Sequence, residues 1–321
     1  MGLALCLQGF RFRPAGMLRL ADPELVGIYR LLVYPLAGQA LSQARFLLEY
    51  FRASFRPSGG LTAISYASRI VQSLSAVLVG GVVTSALPLV SRFAIEAELE
   101  NMKEAIRCSV RLLLLISLPV AAWLIAVGRE LMILVFERGQ FTRNDAELAA
   151  SLIALMTPYI LLSRLVGLTQ VPFYATLKTR TPFYGSALAF AGYAAVAPLL
   201  VGWAGIYGLS LASSLASLLA ALAMIKAFHN RFGALGWSGL GRFAVSAILA
   251  SVMAGLASAP GHQLCRLLAV PGMAGKALAV FVPSVFFLAT LVIASLALGL
   301  VGREDLRSLR TGRSLRFKEN P

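Results

Sequence analysis

An all-α polytopic membrane bundle of about eight spans is the fold class this sequence predicts, from three observations. The 321 residues are 58% hydrophobic and only 13% charged, with a mean hydropathy of +0.79, far from the mix a water-soluble domain needs. Apolar stretches near the ~20 residues that cross a hydrocarbon core as helix fall at 26–53, 61–86, 104–127, 146–170, 183–202, 206–228, 241–258 and 275–299. The basic residues are sorted by loop, eighteen on one side of such a bundle and seven on the other. By the positive-inside rule the richer side, which carries both chain ends, is cytoplasmic. Net charge of +15 therefore reflects topology, since the basic residues form no stripe interleaved with aromatics of the kind that grips nucleic acid.

Each span has its own signature. MGLALCLQGF reads as the last turns of a preceding helix, and residues 11–24 read as a polar linker ending in Asp22 and Pro23, a fitting N-cap and first-turn pair for span one. That span holds Arg30, Arg45, Glu49 and Arg52. The last three share one helical face, with Gln39, Ser42 and Gln43 nearby. An internal salt-bridge strip and a ligand site are both open readings of this face. Span two, beginning AISYASRIVQSLS, puts Ser65, Arg69, Gln72 and Ser73 on one stripe of an otherwise apolar rod. Hydrogen bonding between helices explains the serines but not Arg69, which has no carboxylate three or four residues away.

Residues 91–106, SRFAIEAELENMKEAI, predict an interfacial amphipathic connector to span three. LMILVFERGQFTRNDAE predicts a short apolar helix, a Gly139 turn, and a cap from Thr142, Asn144 and Asp145 for span four. Arg164 lies in span four, where snorkelling and cavity facing are both open. Pro172 and Pro182 bracket a turn carrying Lys178 and Arg180, and VGWAG and APGHQ separate the later spans.

Charges inside spans are the informative feature. An unpaired charge near a bilayer centre costs about 2.5 to 3.5 kcal/mol or more on insertion scales, so such residues face water, a partner or a ligand. No HExxH, GxSxG, Walker loop or CxxC is present, and Cys6, Cys108 and Cys265 are far apart. His229 and His262 fall at helix ends in loops, without a carboxylate at ligand spacing in sequence. Neither an enzyme, a metal site nor a cofactor is predicted.

Three stretches resemble the MviN/MurJ family of lipid II flippases, within the multidrug/oligosaccharidyl-lipid/polysaccharide exporter superfamily. They are SYASRIVQSLSAVLVGGVVTSALPLVSR (65–92), VFERGQFTRNDAELAASLI (135–153) with PFYATLKTRTP (172–182), and WAGIYGLSLASSLASLL (203–219). Their order is similar to that of the family's second half. The resemblance implies a six-helix transporter lobe over 25–232, two additional transmembrane helices over 233–300, and a basic cytoplasmic tail over 301–321. It also implies a truncated, split or fragmentary member, with a first lobe absent from this stretch or supplied by a separate chain.

The implied activity is flipping of a lipid-linked peptidoglycan precursor across the bacterial cytoplasmic membrane. In that reading Arg69 matches the family's essential cavity arginine, although Ser68 stands where the motif carries an acidic residue. Glu49 sits where relatives tend to carry an aspartate, for cavity tuning or ion coupling. Arg69, Arg45 and Arg52 are the expected pyrophosphate ligands, since guanidinium groups are permanently charged planar donors suited to phosphate oxygens. Ser65, Gln72 and Arg164 are expected to line the cavity. The implied partners are a polyprenyl-pyrophosphate-linked saccharide and membrane lipids. Export of O-antigen or another polysaccharide precursor, and a non-transporting membrane subunit or inactive fragment, are the alternatives.

Overall fold

A computed structural model describes residues 23–55, 59–96, 98–137, 141–235, 240–268 and 270–300. The N-terminal segment through residue 22, with Cys6, the Gly139 turn and the tail 301–321 lie outside the described residues.

The described residues form ten α-helices and one π-helical turn. They are α1 (Pro23–Ser54), α2 (Gly60–Leu74), the π turn (Ser75–Val79), α3 (Gly80–Ile95), α4 (Leu99–Phe136), α5 (Arg143–Ala175), α6 (Arg180–Ala204), α7 (Tyr207–Phe232), α8 (Leu240–Ala257), α9 (Ala259–Leu268) and α10 (Gly272–Ala297). Seven segments are long and apolar enough to cross a membrane, α2 through α3 counting as one and α8 through α9 as another. The eighth long helix, α1, is not among those segments. The chain is an all-helical, multi-pass membrane protein.

Two connectors differ from expectation. The acidic run around Glu96–Glu100 is no separate interfacial helix: α3 ends at Ile95, and α4 starts at Leu99 and continues unbroken for 38 residues. Met102 and Ile106 are buried, anchoring this first part of α4 in the protein instead of laying it on lipid. Residues 131–136 likewise are the last turns of α4 and not a short helix of their own. At the start of α5 the expected cap is present. Thr142 accepts from the Asp145 backbone N–H, and the Asp145 carboxylate accepts from the Thr142 backbone N–H at 2.9 Å, satisfying donors that a helix start leaves open.

Helices α1 to α7, the lobe, pack on one another, and α8 to α10 pack on them through α4. Within the lobe α5 packs on α2, α3, α4 and α7, while α6 packs on α1 and α7. The α6–α7 turn is tight enough to need glycine: a Cβ on Gly208 would stand 2.3 Å from the Leu200 carbonyl oxygen. Helices α8 and α10 pack on each other and on α4, with α9 against α10. Dispersion and small-residue contact hold such interfaces where lipid removes the hydrophobic driving force. A hydrogen bond from the Trp123 indole to the Ser284 hydroxyl, 2.9 Å, ties α4 to α10. Gly261 lets α9 reach α10, since a Cβ there would lie 2.7 Å from Pro283 Cα.

Candidate functional site

The charged face of α1 turns inward at the centre of the lobe. Arg45 is 5% exposed and Glu49 fully buried, their side chains 3.7 Å apart across one helical turn. Ser213 of α7 bridges them. The Arg45 guanidinium donates to the Ser213 hydroxyl at 2.9 Å, and that hydroxyl donates to Glu49 Oε2 at 3.2 Å. Aromatic rings surround the guanidinium, with Phe46 at 4.3 Å, Tyr159 of α5 at 4.9 Å and Tyr193 of α6 at 5.7 Å. Ring faces attract the cation and exclude water, so the pair is stabilised by π-electrons as well as by Ser213. The other Glu49 oxygen and the Tyr193 hydroxyl are buried with no hydrogen-bond partner among the described residues.

Beside this pair lies a polar cavity of about 210 Å³ between α1, α5, α6 and α7. Gln39, Ser42, Arg45, Ser163, Gln170 and Ser186 contribute polar groups to its wall. Arg45 thus reaches the cavity, while Glu49 stays fully buried behind it and contributes nothing to the wall. A guanidinium carries five N–H donors, so Arg45 retains donors for an acceptor in the cavity after serving Ser213.

The remaining predicted residues do not join this centre. On α2, Arg69 is exposed, as is Ser73, while Ser65 and Gln72 are half-buried; the stripe faces out of the lobe. Among the described residues Arg69 makes no ion pair or side-chain hydrogen bond. Ser68, by contrast, is buried against Met156. Arg52, two turns beyond Arg45 on α1, is half-buried. Arg164, also half-buried, donates from Nε to the Ser75 hydroxyl at 2.9 Å, the first residue of the π turn. No group of three metal-ligating side chains occurs among the described residues.

The sequence reading missed Ser213, Tyr159 and Tyr193, which complete the Arg45–Glu49 centre. A signal was present for the first: Ser210, Ser213, Ser214 and Ser217 recur at helical spacing on α7, and all four are buried. For the tyrosines no local pattern exists, because they come from separate helices. The sequence also gave His262 no carboxylate. In the structure its Nδ1 lies 3.6 Å from Glu130 Oε1, a contact between α9 and α4 that sequence spacing cannot show.

A family model described as lipid II flippase MurJ matches residues 3–265. The chain belongs to the MurJ family. A probable lipid II flippase MurJ of Vibrio cholerae is 23% identical over 65% of the chain and 40% of its own length. That of Bdellovibrio bacteriovorus is 26% identical over 70% of the chain and 43% of its own length. The chain therefore spans about two fifths of these MurJ relatives. A solved lipid II flippase MurJ in an inward closed conformation superposes with a TM-score of 0.62 at 15% identity, covering 81% of this chain and 52% of that one. At that identity the likeness establishes the MurJ fold and nothing about individual residues.

Proposed function

We propose that this chain forms one wall of a path along which a lipid-linked peptidoglycan precursor, lipid II, crosses the bacterial cytoplasmic membrane. The observation that carries the reading is Arg69: in a chain of the MurJ family, a permanent cation stands exposed on a polar stripe within a transmembrane helix. A pyrophosphate cannot cross hydrocarbon unaided, and an unanswered guanidinium facing out of the lobe is a ready partner for it.

In this reading Arg69 and Arg52 take the pyrophosphate, with Ser65 and Gln72 hydrating its flank. Arg45 acts from inside the lobe, its charge held and moderated by Glu49, and Glu49 serves ion-coupled closure or tuning of the field. Arg164 steadies the π turn below Arg69. Because the chain spans about two fifths of the relatives it matches, the opposite wall is assigned to a first lobe, in a longer protein or a second chain. Rocking of the lobes about the cavity alternates access, and no bond is made or broken. Loop charge supports an orientation with both ends in the cytoplasm.

The test is rescue of bacteria depleted of their own lipid II flippase, scored by growth and by outward exposure of the lipid-linked precursor. The chain is supplied alone and together with the first lobe of a MurJ relative. Rescue in either arm, lost on Arg69→Ala with the protein still present in the membrane, is the expected result. Rescue that survives Arg69→Ala would remove that arginine from its central role. No rescue in either arm would overturn the lipid II assignment.

A further inference from the structure

A second cavity, of about 390 Å³, opens at the end of the bundle that carries the α4–α5 turn, between the end of α4, α9 and the first turns of α10. It has room for about a dozen water-sized groups of ~30 Å³ each. Four permanent cations line it, Arg129, Arg143, Arg266 and Lys276, against one carboxylate, Glu130. Three of these cations have acid partners: Arg129 meets Glu147 at 2.6 Å, and Arg143 and Lys276 meet Glu137 at 3.3 and 2.8 Å. Arg266 differs, being exposed and within ion-pair reach of no carboxylate among the described residues. Exposed apolar side chains belong to the same lining, Leu268 at 55% exposure, Val270 at 38% and Leu278 at 36%.

We propose that this cavity binds the phosphate headgroup of an anionic membrane lipid, with the acyl chains running along Leu268, Val270 and Leu278. Cations concentrated at one end of a transmembrane bundle meet headgroups, not hydrocarbon, and a basic side chain near that surface attracts an anionic headgroup. The apolar frame decides for a lipid over a dissolved anion, which would gain nothing from it. The assignment is independent of lipid II and of the arginines placed on α1 and α2.

Cys265 lines the cavity and supplies a local probe, its thiol half-buried and 3.3 Å from the Leu278 carbonyl. The experiment uses the full chain with Cys6→Ser and Cys108→Ser, in nanodiscs of phosphatidylcholine with a rising fraction of phosphatidylglycerol. The rate of Cys265 alkylation by the uncharged reagent N-ethylmaleimide is followed by mass spectrometry. We expect phosphatidylglycerol to slow alkylation, and Arg266→Gln to raise the half-protecting fraction about fivefold, the ratio expected for one cation near a lipid surface. Arg266→Lys retains protection, and Lys226→Gln at the opposite end leaves it unchanged. An alkylation rate indifferent to phosphatidylglycerol, or an Arg266→Gln titration equal to the parent's, overturns the proposal. Equal protection by inorganic phosphate in pure phosphatidylcholine discs, at matched ionic strength, overturns the lipid assignment in favour of a soluble anion. Arg266 holds no structural contact in the ion-pair network, so its variants test binding and not folding.

Discussion

Arg45 and Arg69 are the same residue type in neighbouring helices, and their surroundings give them opposite energetics. Arg45 is enclosed by three aromatic rings and paired to Glu49 through Ser213. Removing one member of a buried pair strands the other charge, at a cost of about 3 to 5 kcal/mol. Arg45→Ala is therefore expected to lower stability to thermal unfolding in detergent by that order, and Arg45→Met with Glu49→Met to recover most of it. A double variant as unstable as the single would show that the ring cage, and not the stranded carboxylate, sets the cost. Arg69 is exposed and unpaired among the described residues. Its truncation is expected to change stability by no more than about 0.5 kcal/mol, the usual range for surface substitutions, while abolishing the rescue described above. Substitution at the two arginines thus separates folding from transport.

At the scale of the helix, the joints carry the testable content. Gly208 sits where a methyl group would overlap the Leu200 carbonyl at 2.3 Å. Because backbone is what it meets, α6 and α7 must separate to admit it. Gly208→Ala is expected to cost about 1 to 3 kcal/mol, as overpacking does, and a thermal midpoint unchanged from the parent would show that the turn relaxes freely. The junction of α4 and α10 is electrostatic. Lys276 of α10 holds the Glu137 carboxyl below the ordinary carboxylate value of 4.5, chiefly by hydrogen bonding, with Arg143 adding to the effect. A group whose folded pKa is depressed contributes stability that is complete above its unfolded pKa and is lost as pH falls through its folded one. Thermal stability is therefore expected to decline as pH drops below about 4.5, and Lys276→Gln to flatten that decline. An unchanged profile in the variant would place the acid sensitivity elsewhere. The π turn at Ser75–Val79 is a third joint, where a widened helical turn meets the Arg164 guanidinium. Such turns cluster at functional positions, and this one lies one and a half turns beyond Arg69 on the same span.

In the whole molecule, the lobe and the pair α8–α10 meet along α4, whose 38 residues are shared by both. The polar centre lies in the lobe, between α1 and α5–α7, and the cationic cavity lies at the end of α4 that faces the appended pair. The two cavities share no lining residue. The rescue experiment reads the Arg69 stripe on α2 and Cys265 alkylation reads the cationic cavity, so failure of either leaves the other standing.

The membrane class, the spans and the turn chemistry were legible in the chain because hydropathy, proline, glycine and capping residues act locally. Composition alone requires a lipid solvent, and Thr142 with Asp145 specifies its cap within four residues. The i,i+4 spacing of Arg45 and Glu49 already places them on one face, as found. The amphipathic run at 96–100 misled because its charge alternation is equally compatible with a surface helix and with the start of a long span, and the burial of Met102 and Ile106 decides between them. Ser213, Tyr159 and Tyr193 around Arg45, Glu130 beside His262, and the cationic cavity were invisible for a different reason. Each joins helices far apart in sequence, and their approach depends on which face of each helix packs against its neighbour. Local sequence determined what each helix is and where it stops; only tertiary packing decided which charges are answered inside the protein and which, like Arg69 and Arg266, are left facing outward.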